Sequence, residues 1–107
     1  MMKIGIDVVE IDRTHKIILE SAKFVDKILS PEEIGSWNLQ SICGKIAAKE
    51  AIIKTGYISA GEWKKVKVIA SDSGEPQIFD ENHTLISKIH ISISHTPTLA
   101  IAVAVYE

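Results

Sequence analysis

Two carboxylates, a lysine and a histidine stand out in this sequence, because each sits where folding alone explains its residue type poorly. Asp7 lies inside an alternating apolar stretch, and aspartate is depleted in strands because its side chain competes for backbone hydrogen bonds. It either caps the following turn or aims a carboxylate into a site, with Ile4, Ile6 and Val8 holding the opposite face in the core. Glu50 lies on a helical stretch that is apolar or small nearly all round, with Lys54 one turn further on. An exposed Glu–Lys pair at that spacing is worth only about 0.2–0.5 kcal/mol. A partly buried carboxylate needs more, from hydrogen bonds or a metal. The competing reading is a plain salt bridge on a helix surface. Two hard carboxylates suit Mg²⁺, which takes one or two protein carboxylates together with water and substrate phosphates. Zinc is not supported, since His15, His83, His90 and His95 form no pair at ligand spacing and Cys43 stands alone. Ser94-His95-Thr96 gathers donors that suit a phosphate, or else forms an ordinary turn. No GxxxxGK[ST] or GxGxxG loop is present. Residue types and spacing therefore reach as far as an Mg²⁺ and phosphate site.

The elements that must position these groups read as follows. Ile4, Ile6 and Val8 alternate with Lys3, Gly5 and Asp7, which predicts a strand over Lys3 to Val9. Asp12 is placed to cap a helix through Glu20, with Ile17, Ile18 and Leu19 on its apolar side. Ser30-Pro31-Glu32-Glu33 has the form of a capping box with proline at the first helical position, so a helix is expected from Pro31 to about Leu39. A further helix is expected over Ser41 to Thr55, ended by Gly56, with Lys45 and Lys49 as a separate basic stripe. Strands follow: Lys65 to Ala70, a turn at Ser71-Asp72-Ser73-Gly74, and a short return at Gln77-Ile78-Phe79. Ile89 to Ser94 and Leu99 to Tyr106 then form a terminal hairpin through His95-Thr96-Pro97-Thr98. A leading strand and helices followed by antiparallel strands predict an α+β fold.

Composition bounds the function. The 107 residues suit one domain, with 46% hydrophobic and 24% charged residues. Twelve basic against fourteen acidic residues give a net charge of −2, which is not a nucleic-acid binder's footprint. The longest apolar run, Leu99 to Tyr106, is far short of the ~20 residues of a membrane-spanning helix. Asp7 interrupts the start where a signal peptide needs apolar residues, and one cysteine fits a reducing compartment, so a cytoplasmic location is expected. A domain this small has little concave surface, so a bulky substrate implies a shallow site or one shared between subunits.

Five segments together resemble the holo-acyl-carrier-protein synthases over nearly the whole chain. They are Gly5-Ile6-Asp7-Val8-Val9-Glu10-Ile11-Asp12-Arg13, Phe24 to Glu33, Lys45-Ile46-Ala47-Ala48-Lys49-Glu50-Ala51 with Lys54, Ser73-Gly74-Glu75-Pro76, and Ser92-Ile93-Ser94-His95-Thr96. The third is similar to the family's (R/K)FAAKEA helix motif. The resemblance implies a 4′-phosphopantetheinyl transferase of fatty acid biosynthesis, moving the phosphopantetheine arm of coenzyme A onto a serine of apo-acyl carrier protein and releasing adenosine 3′,5′-bisphosphate. It implies Asp7 and Glu50 as Mg²⁺ ligands, Lys54 on the pyrophosphate with Lys49 as its neighbour, and Lys45 on coenzyme phosphates. It further implies His95 and Thr96 at the adenosine and 3′-phosphate, Gly74 and Pro76 beside the adenine, and Arg13, Ile17 and Phe24 on the carrier-protein docking surface. A homotrimer with sites between subunits is also implied, with the small residues Ala100, Ala102 and Ala104 packing within or between chains. The base that takes the serine proton stays open between a metal-bound water and a nearby carboxylate. Three positions depart from the family pattern. Ile46 stands for phenylalanine, Lys45 stands for an arginine whose fork binds phosphate in two places, and Glu33 to Gly44 is short and lacks basic residues. A non-catalytic module that binds coenzyme A or the carrier is the alternative, which the joint presence of Asp7, Glu50 and Lys54 disfavours.

Overall fold

The computed structural model describes residues 1–107 and is α+β, as the order of elements predicts. Strand β1 (Lys3–Glu10) leads into α1 (Ile11–Glu20), α2 (Lys23–Ile28), α3 (Pro31–Ile34) and the long α4 (Leu39–Thr55). A single 3₁₀ turn (Trp63–Lys65) precedes the hairpin of β2 (Val66–Ala70) and β3 (Pro76–Asp80), and the chain closes with β4 (Ile89–His95) and β5 (Leu99–Tyr106). The three-stranded sheet has the order β1-β5-β4, antiparallel throughout, and β2 and β3 form a separate two-stranded sheet.

Helix α4 lies across one face of the larger sheet, and small residues let it come close. Gly5 pairs with Ala104, Asp7 with Ala102 and Val9 with Ala100, so the helix-facing side of β1 and β5 carries hardly any bulk. Ala47, Ala48 and Ala51 meet it from α4, and these alanines and those of β5 are fully buried. A Cβ on Gly5 would lie 2.0 Å from the Ala51 carbonyl oxygen, so only glycine permits this crossing. The β5 alanines thus pack within the chain.

The opposite face corrects an expectation. Ile4, Ile6 and Val8 do not enter the core; they are 69%, 55% and 54% exposed. Period-two alternation reveals two faces but not which one is covered. Asp7 is the one polar side chain in the middle of β1, and the helix takes the side where Gly5 lets backbone approach backbone. The exposed isoleucines and valine pair across to Val105, Val103 and Ile101 of β5, making a continuous apolar outer face.

Other boundaries shift for local reasons. Helix α3 is a single turn, not a run to Leu39, because Gly35 takes a positive φ of 51° directly after Ile34. Its predicted capping box is present. Glu10 rather than Asp12 occupies the N-cap of α1, and Asp12 falls in the first turn. Helix α4 starts at Leu39, capped by the Asn38 side chain accepting from the Ser41 N–H at 2.9 Å, and ends at Gly56 as expected. The short α2 has no counterpart among the predicted helices; its six residues are too few to show a period. The basic stripe expected of Lys45 and Lys49 is not one exposed surface, since Lys49 is fully buried.

Candidate active site

The crossing of β1 over α4 brings the first group of candidate residues together. Lys54 is half-exposed at the end of α4, and its Nζ donates to Asp7 Oδ1 at 3.1 Å and to the Ile6 carbonyl at 2.8 Å. Glu50, one turn earlier and half-buried, accepts a hydrogen bond at Oε1 from Trp63 Nε1 at 2.9 Å. Each carboxylate keeps a second oxygen outside these bonds. Two hard oxygen donors on elements in contact, with a lysine paired to one of them and one helical turn from the other, fit the demands of Mg²⁺ with a phosphate. No group of three or more His, Cys, Asp or Glu side chains is gathered anywhere, so an ion held here would draw its remaining ligands from water and substrate.

The second group lines a cleft of about 340 Å³ between the N-terminal half of α4, the β2–β3 turn and β4. Lys45, Gly74, Pro76 and His95 all line it, as does Ile93. Gly74 has a φ of 90° in the turn, where the Gly74 N–H donates to the Ser71 carbonyl at 2.9 Å. Gly44 at the cleft floor leaves no room for a side chain, since a Cβ there would lie 2.9 Å from Ile93 Cγ2. Lys45 donates to the Glu33 carbonyl, and its burial holds the ammonium below the usual lysine range, partly opposed by the charge of Glu33. Asp7 and Ile93 both pair with Ala102, so the carboxylate and the cleft share one row of the sheet, two strand spacings or about 10 Å apart.

Two candidates stand apart from the cleft. Thr96 is built into the β4–β5 turn, its Oγ1 accepting from the N–H groups of Thr98 at 3.2 Å and Leu99 at 3.0 Å. That leaves its hydroxyl hydrogen as the one donor it can offer a ligand. Lys49 corrects its assignment to the coenzyme: its Nζ donates to Glu33 Oε1 at 2.7 Å and to the Ile28 carbonyl at 2.8 Å, with no exposure. Burial pushes its ammonium pKa down, and Glu33 counteracts that. Lys49 joins α4 to α2 and α3 and presents nothing to a ligand.

Arg13 is exposed on α1, Ile17 half-buried on the same helix, and Phe24 half-buried on α2 against the cluster of Val25, Ile28, Leu29, Ile42 and Ile46. Sequence reasoning missed Trp63 and the neutral polar wall of Asn38, Gln40 and Ser41. Asn38 was legible as a potential cap before an apolar run. Trp63 carried no local signal, since its partner lies 13 residues away.

Comparison with known proteins adds three findings. The family model described as "4′-phosphopantetheinyl transferase superfamily" matches residues 3–104. Holo-[acyl-carrier-protein] synthases from Halalkalibacterium halodurans and Alkaliphilus metalliredigens are 34% and 35% identical to this chain, over 96% and 95% of it and 92% and 95% of their own lengths. The crystal structure of the Helicobacter pylori holo-[acyl-carrier-protein] synthase in complex with coenzyme A superposes with a TM-score of 0.81 at 33% identity, over 97% of this chain and 99% of that one.

Proposed function

The chain belongs to the 4′-phosphopantetheinyl transferase superfamily, and from that premise we propose the following account of what it does. It is a holo-[acyl-carrier-protein] synthase: coenzyme A is its substrate, and it transfers the phosphopantetheine group to apo-acyl carrier protein. The serine hydroxyl oxygen of the carrier attacks the β-phosphorus of coenzyme A, the bond from that phosphorus to the bridging oxygen breaks, and adenosine 3′,5′-bisphosphate leaves. We take residues 1–107 as one catalytic domain and the cytoplasm as its location, where a free thiol such as Cys43 persists.

The observation that carries this reading is the junction of Lys54 with Asp7 beside Glu50, at one end of the row that leads to the cleft. Asp7 and Glu50 would hold Mg²⁺, which when bound supplies charge neutralisation at the phosphoryl oxygens. Lys54 meets the negative charge that grows on the same oxygens, and its two anchors on β1 fix it before substrate arrives, so little reorganisation is needed. Lys45, Gly74, Pro76 and His95 hold the nucleotide end of coenzyme A in the cleft, and Thr96, in the turn that follows His95, offers it a hydroxyl donor. Fixing both ends of an extended substrate converts binding into alignment for in-line attack. Arg13, Ile17 and Phe24 form the face on which the acidic carrier docks. A module that merely held coenzyme A would have no use for Asp7 paired to Lys54 with Glu50 one helical turn away.

We further propose a homotrimer with sites shared between subunits. The outer face of β1 and β5, with Ile4, Ile6, Val8, Ile101, Val103 and Val105, is an apolar surface of the kind that partner chains cover. A neighbour seated there lies on the face opposite Asp7 and would add its coenzyme contacts from around the edge of β1. Light scattering should give about 35 kDa, three times 11.8 kDa. A fully active monomer would overturn the shared site.

The deciding experiment incubates the protein with apo-acyl carrier protein, coenzyme A and Mg²⁺ and weighs the carrier. A mass gain of one phosphopantetheine, abolished reversibly by EDTA and strongly reduced by Glu50→Gln or Asp7→Asn, is expected. Wild-type turnover by both variants at limiting Mg²⁺ would remove the metal assignment.

A further inference from the structure

Glu50 leaves α4 on a flexible side chain, and a carboxylate used as a cation ligand must be held in one orientation before the ion arrives. Ordering such a side chain costs rotamer freedom. The structure already orders it. Trp63 Nε1 donates to Glu50 Oε1 at 2.9 Å, and both side chains are half-buried, so the bond is only partly open to water. An indole N–H is a donor only, so it can hold a carboxylate and cannot itself take a cation.

The indole is in turn fixed from behind. Trp63 packs against the cluster of Val25, Ile28, Leu29, Ile42 and Ile46, as Phe24 also does. Its backbone stands at the start of a 3₁₀ turn set by the loop after α4, in which the Ser59 N–H donates to Glu62 Oε1 at 2.8 Å and the Glu62 N–H to the Ser59 carbonyl at 3.0 Å. The ring therefore cannot follow Glu50 to another rotamer.

We infer that Trp63 is a positioning residue for the metal site: its indole N–H fixes Oε1 of Glu50 and leaves Oε2 to meet the ion. This rests on the reading of Glu50 as an Mg²⁺ ligand. Removing a hydrogen-bond partner of a ligating group typically costs ten- to a hundredfold in metal affinity or activity. Trp63→Phe keeps an aromatic ring on the apolar cluster and deletes the donor. Replacement of Trp63 by β-(3-benzothienyl)alanine, with sulfur in place of the N–H, preserves shape more closely.

Both variants should raise the Mg²⁺ concentration for half-maximal transfer about tenfold or more, while turnover at saturating Mg²⁺ and the KM for carrier protein stay within about twofold. A second readout needs no turnover. In a Trp37→Phe background Trp63 is the only tryptophan, and its fluorescence should respond saturably to Mg²⁺ alone and lose that response with Glu50→Gln. An unchanged Mg²⁺ requirement in both Trp63 variants, with Glu50→Gln still altering it, would overturn the inference and leave Glu50 as a ligand. Equal loss of activity at every Mg²⁺ concentration, in step with a lower Tm, would make Trp63 structural and also overturn it. If Glu50→Gln itself leaves the Mg²⁺ requirement untouched, the ligand reading fails and the inference falls with it.

Discussion

Helix α4 carries two lysines that make the same two kinds of bond and have opposite fates. Lys49 donates to one carboxylate and one backbone carbonyl, Glu33 and Ile28; Lys54 does likewise with Asp7 and Ile6. The first pair has side-chain exposures of 0% and 0%, the second 53% and 18%. What separates them further is the carboxylate. Glu33 also accepts from the Ser30 N–H and hydroxyl and from the Val68 N–H, so both its oxygens are taken. Asp7 accepts from Lys54 and keeps capacity for an ion. One pair is closed and holds four elements together, α2, α3, α4 and β2, while the other is open and can do chemistry. Coulomb attraction is common to both; saturation and solvent decide the role.

The largest effect that tests this contrast is on folding. Lys49→Met should destabilise the protein by about 3–5 kcal/mol, because it leaves the Glu33 charge buried and unpaired. Urea titration should show it, and Glu33→Gln in the same chain should recover part of the loss. Lys54→Met should cost less than about 1 kcal/mol in the same titration, since an exposed pair contributes little. Equal losses for the two lysines would erase the distinction.

Activity should reverse the order. Lys54→Met should lower kcat about 10²–10³-fold, the range for deleting one donor to a developing oxyanion, with KM for coenzyme A much less changed. A rise in KM alone would make Lys54 a ground-state phosphate binder and break its assignment to the transition state.

These two lysines also mark how far the sequence could be read. The spacing of Glu50 and Lys54 and the anomaly of Asp7 were legible because each violates a local expectation, and the structure joins Asp7 and Lys54 directly. Lys49 was assigned to a basic stripe and to the coenzyme, since its partner Glu33 lies sixteen residues away and helical periodicity carries no information about a distant acid. The capping box announced Ser30 and Glu33 correctly, but not that the same glutamate would bind Lys49 and Val68. The strand order and the inward choice of Gly5 over Ile4 depend on how closely two backbones can approach, which is a tertiary property.

A smaller effect concerns α1, where the carrier-docking face is proposed. Arg13→Glu should raise KM for the acidic carrier protein and leave coenzyme A binding unchanged, with a penalty of about 1 kcal/mol that shrinks as salt rises. Identical carrier kinetics at low salt would remove Arg13 from the docking surface.

The smallest expected effect probes the closed end of α4 by titration. Cys43 is fully buried beside Ile11 and Ala100, and burial raises its thiol above the usual 9.0, with a hydrogen bond to Thr14 partly opposing the rise. The folded state therefore favours the protonated thiol more than the unfolded state does. Below pH 9.0 both states keep the proton and this contribution is fully present. As pH climbs from there through the raised folded value, the unfolded chain ionises first and the contribution is lost. Wild type should lose slightly more stability than Cys43→Ala between pH 8 and pH 10, measured by urea midpoints. Because the thiolate is the nucleophile, iodoacetamide at pH 8 should label Cys43 only when urea unfolds the chain. Fast labelling of the native protein would show that the N-terminal half of α4 opens readily, and the closed half of the helix would then be no more secure than the end that carries Lys54.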